Sequence, residues 1–168
     1  MGLIDYDDGS RIIEGVPVYY QGTTGTCAQA CVTSILNYWG YNVKYEEVIS
    51  QTSNQDMSAG MNPEQMVWYF RKYNLQSRSY TARLSDIKSQ INKGLPCIVA
   101  FDERSIQHVV VVTGYNDDRE VIYYNDSMYG EVTEEPYSDF IRAWSRQRAN
   151  SAGYFEGSLS NLLIQVSR

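Results

Sequence analysis

Apolar and polar positions follow two different periods along this chain. At about 100° per residue, Ala28, Cys31, Val32, Ile35, Leu36 and Trp39 form one stripe, and Gln29, Thr33 and Asn37 fall opposite. That pattern predicts a packed helix with Thr26 as its N-cap, stopped by Gly40 after Trp39. "YEEVIS" predicts a short helical turn. "MNPEQMVWYFRKYNL" predicts a second long helix, with Asn62 as cap and Pro63 at its first position. "LSDIKSQINKG" predicts a third, capped by Ser85 and closed by Gly94. From there β-branched and aromatic runs take over. "LPCIVAF", "QHVVVVTGY" and "EVIYYND", separated by "DERSI" and the turn "NDDR", predict an antiparallel meander. "YSDFIRAW" returns to helix with Ser138 as cap, and "LLIQVS" predicts a closing strand. At the other end, a turn at Asp7, Asp8, Gly9 and Ser10 precedes an extended "GVPVYYQ". Helices first and sheet second define an α+β domain.

Composition narrows this reading. The 168 residues, 43% hydrophobic and 13% aromatic, are enough to bury a sizeable core, and no repeat or linker interrupts them. A single domain over residues 1–168 is expected. The net charge of −6 is spread without a basic run, which argues against nucleic acid and anionic membranes as partners. No apolar stretch approaches the roughly 18 residues of a membrane span, and "MGLIDYDDGSRI" has aspartates where a signal peptide carries positive charge. The expected location is cytoplasmic, or secreted where a signal segment has been removed. The 15 tyrosines sit in short alternating or apolar runs and read as strand and core-edge residues. Three cysteines, an odd number, argue against a disulfide framework and for free thiols.

One of those thiols is placed for chemistry. In "QGTTGTCAQACVTSILNYWG", Cys27 opens the first long helix, where backbone N–H groups are unpaired and the macrodipole is positive, so a thiolate is stabilised. His108 is the only histidine, so any thiolate–imidazole mechanism must use it. A histidine at the start of an apolar strand is otherwise an ordinary structural residue. If "NDDR" is the hairpin turn, Tyr115 stands opposite Glu120, and antiparallel counting brings His108 within one residue of Asp126. A carboxylate there would fix the imidazole tautomer and stabilise the imidazolium. Asn125 would do so through an amide oxygen, and a one-residue slip decides between the two. The Cys27 N–H and the Gln21 side-chain amide, at the far end of the tight "GTTGT" loop, are candidate oxyanion donors.

The same atoms suggest a rival. Cys27, Cys31, Cys97 and His108 are four soft ligands, the number in a structural zinc site. Against it, Cys31 lies in the apolar stripe, Cys97 lies in "PCIVAF", and neither has the spacing of a zinc knuckle. Both read as small buried hydrophobes. "NDDR" lacks the spacing and glycine of a calcium loop. No Gly-rich phosphate loop, serine elbow or paired-cysteine redox motif is present. No metal or cofactor is expected.

Taken in order, "VPVYYQ", a cysteine six residues after its glutamine, a helix ending "LNYWG", then "GMNPEQMVWYFRKYNL", "KGLPCIVAF", "HVVVVTGY", "YYND" and "DFIRAW" resemble the papain-like cysteine peptidase family thirty-nine. Its best known members are peptidase domains that remove double-glycine leaders from bacteriocin precursors. The resemblance implies a helical half carrying the nucleophile, packed on an antiparallel sheet carrying histidine and aspartate. It implies Gln21 as the oxyanion-hole glutamine, Cys27 as nucleophile, His108 as general base and Asp126, over Asn125, as the residue that orients it. The family commonly has glycine after the nucleophile, glycine before the histidine and proline after the aspartate, where this chain has Ala28, Gln107 and Ser127. The expected function is hydrolysis of a peptide or protein substrate. The rivals are the same thiol chemistry on a glutamine side chain or in acyl transfer, and a peptidase-like module that binds peptides without cleaving them.

Overall fold

A computed structural model describes residues 2–22, 24–52, 61–103, 106–145 and 160–168. Thr23 of the "GTTGT" loop and residues 104 and 105 of "DERSI" lie outside the described residues. The chain opens with a hairpin, β1 (Gly2–Asp5) and β2 (Ser10–Glu14), followed by α1 (Cys27–Tyr38), α2 (Tyr45–Thr52) and α3 (Pro63–Lys72). Next come β3 (Gln76–Thr81), α4 (Leu84–Asn92), β4 (Cys97–Glu103), β5 (Ile106–Asn116), β6 (Val121–Asp126) and β7 (Glu131–Pro136). The described chain ends with α5 (Tyr137–Ser145) and β8 (Leu162–Ser167).

The expected meander is present as β4, β5 and β6, and β7 extends it. The long strand β5 is its spine. One edge of β5 pairs with β6; the other pairs with β4 over Ile106–Val112 and then with β2 over Gly114–Asn116. Gly114 permits that change of partner, because a Cβ there would come within 2.6 Å of the Arg11 carbonyl oxygen. β8 pairs with β4 and β3 antiparallel, closing the sheet on its far side.

Helices cover both faces of this sheet. On one, α1, α2 and α3 pack Val32, Ile35, Leu36, Val48, Met66 and Phe70 against Ile98, Val111 and Ile164. On the other, α4 and α5 pack Ile87, Ile91, Phe140 and Trp144 against Val99, Val110 and Val112. Burial from both sides explains why β5 reads as an unbroken run of valines instead of alternating.

Several local expectations need correction. "GVPVYYQ" forms no strand; the pairing extended segment is β2, just before it. α1 has no polar face, since Gln29 and Thr33 are both 0% exposed. α2 covers that side, with Gln29 Nε2 donating to Thr52 Oγ1 at 3.2 Å and Thr33 Oγ1 donating back to the Gln29 carbonyl at 2.7 Å. The cap of α4 is Arg83, not Ser85: the Arg83 N–H donates to Asp86 Oδ2 at 2.8 Å, and the helix starts at Leu84, two residues earlier than a Ser85 cap implies. Ser138 likewise lies inside α5, which begins at Tyr137. Asn62 does cap α3, with Pro63 following it. Among the described residues no helix is long and apolar enough to cross a membrane.

Candidate active site

Cys27 is the first residue of α1, half-buried, with Thr26 at the N-cap position. Thr26 makes no side-chain capping bond. Its hydroxyl is shared instead with Thr24 Oγ1, 2.7 Å away, and with the Tyr45 hydroxyl from α2. No acidic residue occupies the first turn of α1. The N-terminal N–H groups and the positive end of the helix dipole are therefore left to whatever charge develops at Cys27.

The loop before Cys27 is tied at both ends. The Gln21 N–H donates to the Ser127 carbonyl at 2.8 Å, and Thr24 Oγ1 donates to the Gln21 carbonyl at 2.8 Å. Gly25 has φ +74, a left-handed conformation that lets the chain turn directly into α1. Gln21 is itself buried, and its side-chain oxygen accepts from the Ser127 hydroxyl. With the oxygen engaged, the remaining capacity of that amide is its two N–H donors.

His108 and Asp126 come from neighbouring strands. The expected pairing of Tyr115 with Glu120 is not formed. The turn holds four residues, 117–120, so Tyr115 stands opposite Ile122 and Asn116 opposite Val121. A bulge between Val112 and Gly114 then shifts the register by one residue, giving Val112 opposite Tyr124 and Val111 opposite Asn125. Continued one step, this ladder makes His108 and Asp126 diagonal neighbours on one face. Their side chains meet, with His108 Nε2 2.8 Å from Asp126 Oδ1, and both residues are 7% exposed. Asp126 Oδ1 also accepts from the Met128 N–H at 3.0 Å. Asn125 points elsewhere, donating to the Val16 and Pro17 carbonyls at 3.3 and 3.1 Å, and so anchors the segment leading to Gln21.

Cys27 is the second group that acts on the imidazole. Burial disfavours the imidazolium, but the bonds to Asp126 and Cys27 and the negative charge of both outweigh it and push the His108 pKa up to about 9. The imidazolium is thus the favoured form of His108 at neutral pH. Such a group can donate a proton to a leaving amine and, once neutral, take one from water.

The four zinc-ligand candidates are not gathered. Cys97 belongs to the core under α4 and α5, opposite the one that holds Cys31, and burial pushes its thiol up to about 12. Burial likewise raises the Cys31 thiol, as do the charges of Cys27 and Asp126, and Cys31 Sγ faces the Val109 carbonyl at 3.5 Å. Among the described residues no group of three or more His, Cys, Asp or Glu side chains could hold a metal ion. Sequence reading noted Ser127 only as a departure from the family pattern and Thr26 only as a cap, and missed the contacts of Ser127 with Gln21 and of Thr26 with Tyr45, which are 106 and 19 residues apart in the chain.

Helices packed on both faces of a predominantly antiparallel sheet give the architecture of a papain-like cysteine peptidase domain. The Peptidase_C39 like family matches residues 13–152, and the chain belongs to that family. Among solved structures it is similar to a double glycine motif protease from an AMS/PCAT transporter in complex with its leader peptide, at TM-score 0.66 and 20% identity over 99% of this chain and 98% of that one. It is also similar to the peptidase domain of Streptococcus ComA, a bi-functional ABC transporter of a quorum-sensing pathway, at TM-score 0.67 and 20% identity over 91% and 98%. A third is the N-terminal peptidase C39 like domain of the toxin secretion ATP-binding protein from Vibrio parahaemolyticus, at TM-score 0.60 and 14% identity over 84% and 96%. Among curated proteins no sequence matches it.

Proposed function

We propose that this protein is a cysteine peptidase that hydrolyses peptide bonds through Cys27, His108 and Asp126, with Gln21 and the Cys27 N–H as oxyanion donors. The observation that carries the reading is the position of His108, held by a buried carboxylate at 2.8 Å and raised in pKa by that carboxylate and by Cys27. The Cys27 sulfur adds to the peptide carbonyl carbon, and the carbonyl oxygen takes the negative charge facing the two donors. As the tetrahedral species collapses, the C–N bond breaks and the imidazolium gives its proton to the departing amine. Neutral His108 then removes a proton from water, which adds to the thioester and releases the acid. Asp126 keeps the ring oriented throughout. A leader peptide bound to a neighbour of the same fold makes an extended peptide the substrate class to test.

Incubation with a defined peptide mixture, read by mass spectrometry, tests the reading. The parent protein is expected to cleave backbone amides, and Cys27→Ala to abolish turnover with an unchanged circular dichroism spectrum. Equal cleavage in both proteins would end it. Ammonia release without chain cleavage would identify a glutamine deamidase, and stable binding without turnover a peptide-binding module.

A further inference from the structure

Ser127 has a contact that the steps above do not use. It follows Asp126 in the turn between β6 and β7 and is 4% exposed. Its carbonyl accepts the Gln21 N–H at 2.8 Å, and its hydroxyl donates to Gln21 Oε1. Backbone and side chain of one residue therefore grip backbone and side chain of the other. A carboxamide has two ends of nearly equal shape and opposite polarity. Turned one way it offers two N–H donors to an oxyanion. Turned the other way it presents a lone pair and repels it. With Ser127 Oγ donating to Oε1, the amide stands in the first orientation before any substrate arrives, which is the preorganisation an oxyanion site requires. Donation into Oε1 also draws charge from the amide and strengthens its N–H groups as donors.

The turn that supplies Ser127 is itself fixed. The Asp126 carbonyl accepts the Gly130 N–H at 2.8 Å, and the Asp126 carboxylate accepts the Met128 N–H at 3.0 Å. We infer that Ser127 is a positioning residue for the oxyanion donor Gln21, so that one turn, residues 126–130, orients both the imidazole and the oxyanion site. This inference rests on the hydrolytic reading proposed above.

Two reactions at the same sulfur separate positioning from mere stability. Iodoacetamide alkylates Cys27 at a saturated carbon: an S–C bond forms, iodide leaves and no oxyanion appears. p-Nitrophenyl acetate acylates it: sulfur adds to the carbonyl carbon, an oxyanion forms, and p-nitrophenolate leaves as the thioester is made. Both rates are measured at Cys27 by peptide mapping, relative to N-acetylcysteine. Ser127→Ala is expected to lower acylation about tenfold or more while alkylation is unchanged, and Ser127→Thr to retain the parent rates. In a Gln21→Ala background Ser127→Ala should have no further effect on either. Equal acylation in the parent and Ser127→Ala overturns the inference alone. A parallel fall of both rates, or an undiminished effect in the Gln21→Ala background, overturns it as well. A parent acylated no faster than the free thiol overturns the hydrolytic reading and this inference with it.

Discussion

Two helices in this chain begin in opposite ways. At the start of α3, Asn62 Oδ1 accepts the Gln65 N–H at 2.9 Å, Gln65 Oε1 accepts the Asn62 N–H at 2.8 Å, Pro63 removes one orphan donor and Glu64 places a negative charge on the dipole. At the start of α1, the Thr26 hydroxyl is turned aside to Thr24 and Tyr45, no side chain caps the turn and no carboxylate sits in it. A helix in a buried core can forgo its cap because packing holds it: Val32, Ile35 and Leu36 are each 0% exposed. What is forgone at α1 is a local bond. What is gained is a helix start beside Cys27 with no cap from the Thr26 side chain and no carboxylate in its first turn.

If that open end serves chemistry, the largest effects follow from removing its partner donor. Gln21→Ala is expected to lower kcat for peptide hydrolysis by about 10²-fold to 10³-fold, with the pH profile of Cys27 alkylation unchanged, because alkylation forms no oxyanion. The matched substitution at α3, Gln65→Ala, should leave kcat alone. Equal losses in the two variants would show that the two helix starts differ only in appearance.

The second effect concerns charge. At α3 the dipole meets the fixed carboxylate of Glu64; near the start of α1 stands His108, whose charge changes with pH. The His108 pKa, raised to about 9 in the folded protein from 6.5, means that between these values the folded state holds a proton the unfolded chain has lost. The stabilisation is therefore complete below pH 6.5 and is lost as the pH rises through about 9. A shift of this size corresponds to about 3 kcal/mol. Denaturant midpoints at about pH 6 and about pH 9.5 should converge for the parent and His108→Gln as the pH rises. A constant gap between them would exclude the imidazolium form. A smaller effect comes from giving α1 what α3 has. Thr26→Asp places a carboxylate at the open end, and Cys27 alkylation near neutral pH should slow about tenfold. An unchanged rate would mean that the helix end does not act on the sulfur.

The contrast also shows what the sequence could reveal. Asn62-Pro63 and the cysteine opening an apolar stripe are local patterns, so both helix starts were legible, as were the meander strands. The burial of Gln29 and Thr33 was not, because the stripe reports only one neighbour and α2 supplies a second. The register that joins His108 to Asp126 depends on a four-residue turn and a bulge at Thr113, and counting from "NDDR" misplaced Tyr115 by two residues. The resemblance, not the counting, favoured Asp126 over Asn125. Ser127 stood out only as a departure from the family pattern, and its contact with Gln21, 106 residues earlier, has no local trace.

The smallest effect tests the other side of the comparison. Asn62→Ala removes the cap of α3, a helix of 10 residues whose isolated stability would be marginal. Met66 and Phe70, each 0% exposed, hold it against the core, so the helix should persist with a frayed first turn. The expected cost is about 1 kcal/mol, seen as a Tm lower by about 2–4 °C. Because Gln21, Cys27, His108 and Asp126 all lie outside α3, kcat at a temperature well below Tm should match the parent. A Tm change with constant kcat would show that capping at α3 serves stability alone, leaving the uncapped start of α1 as the functional one. A fall in kcat without a fall in Tm would mean that α3 reaches the site through α1, and the separation of roles between the two helix starts would be lost.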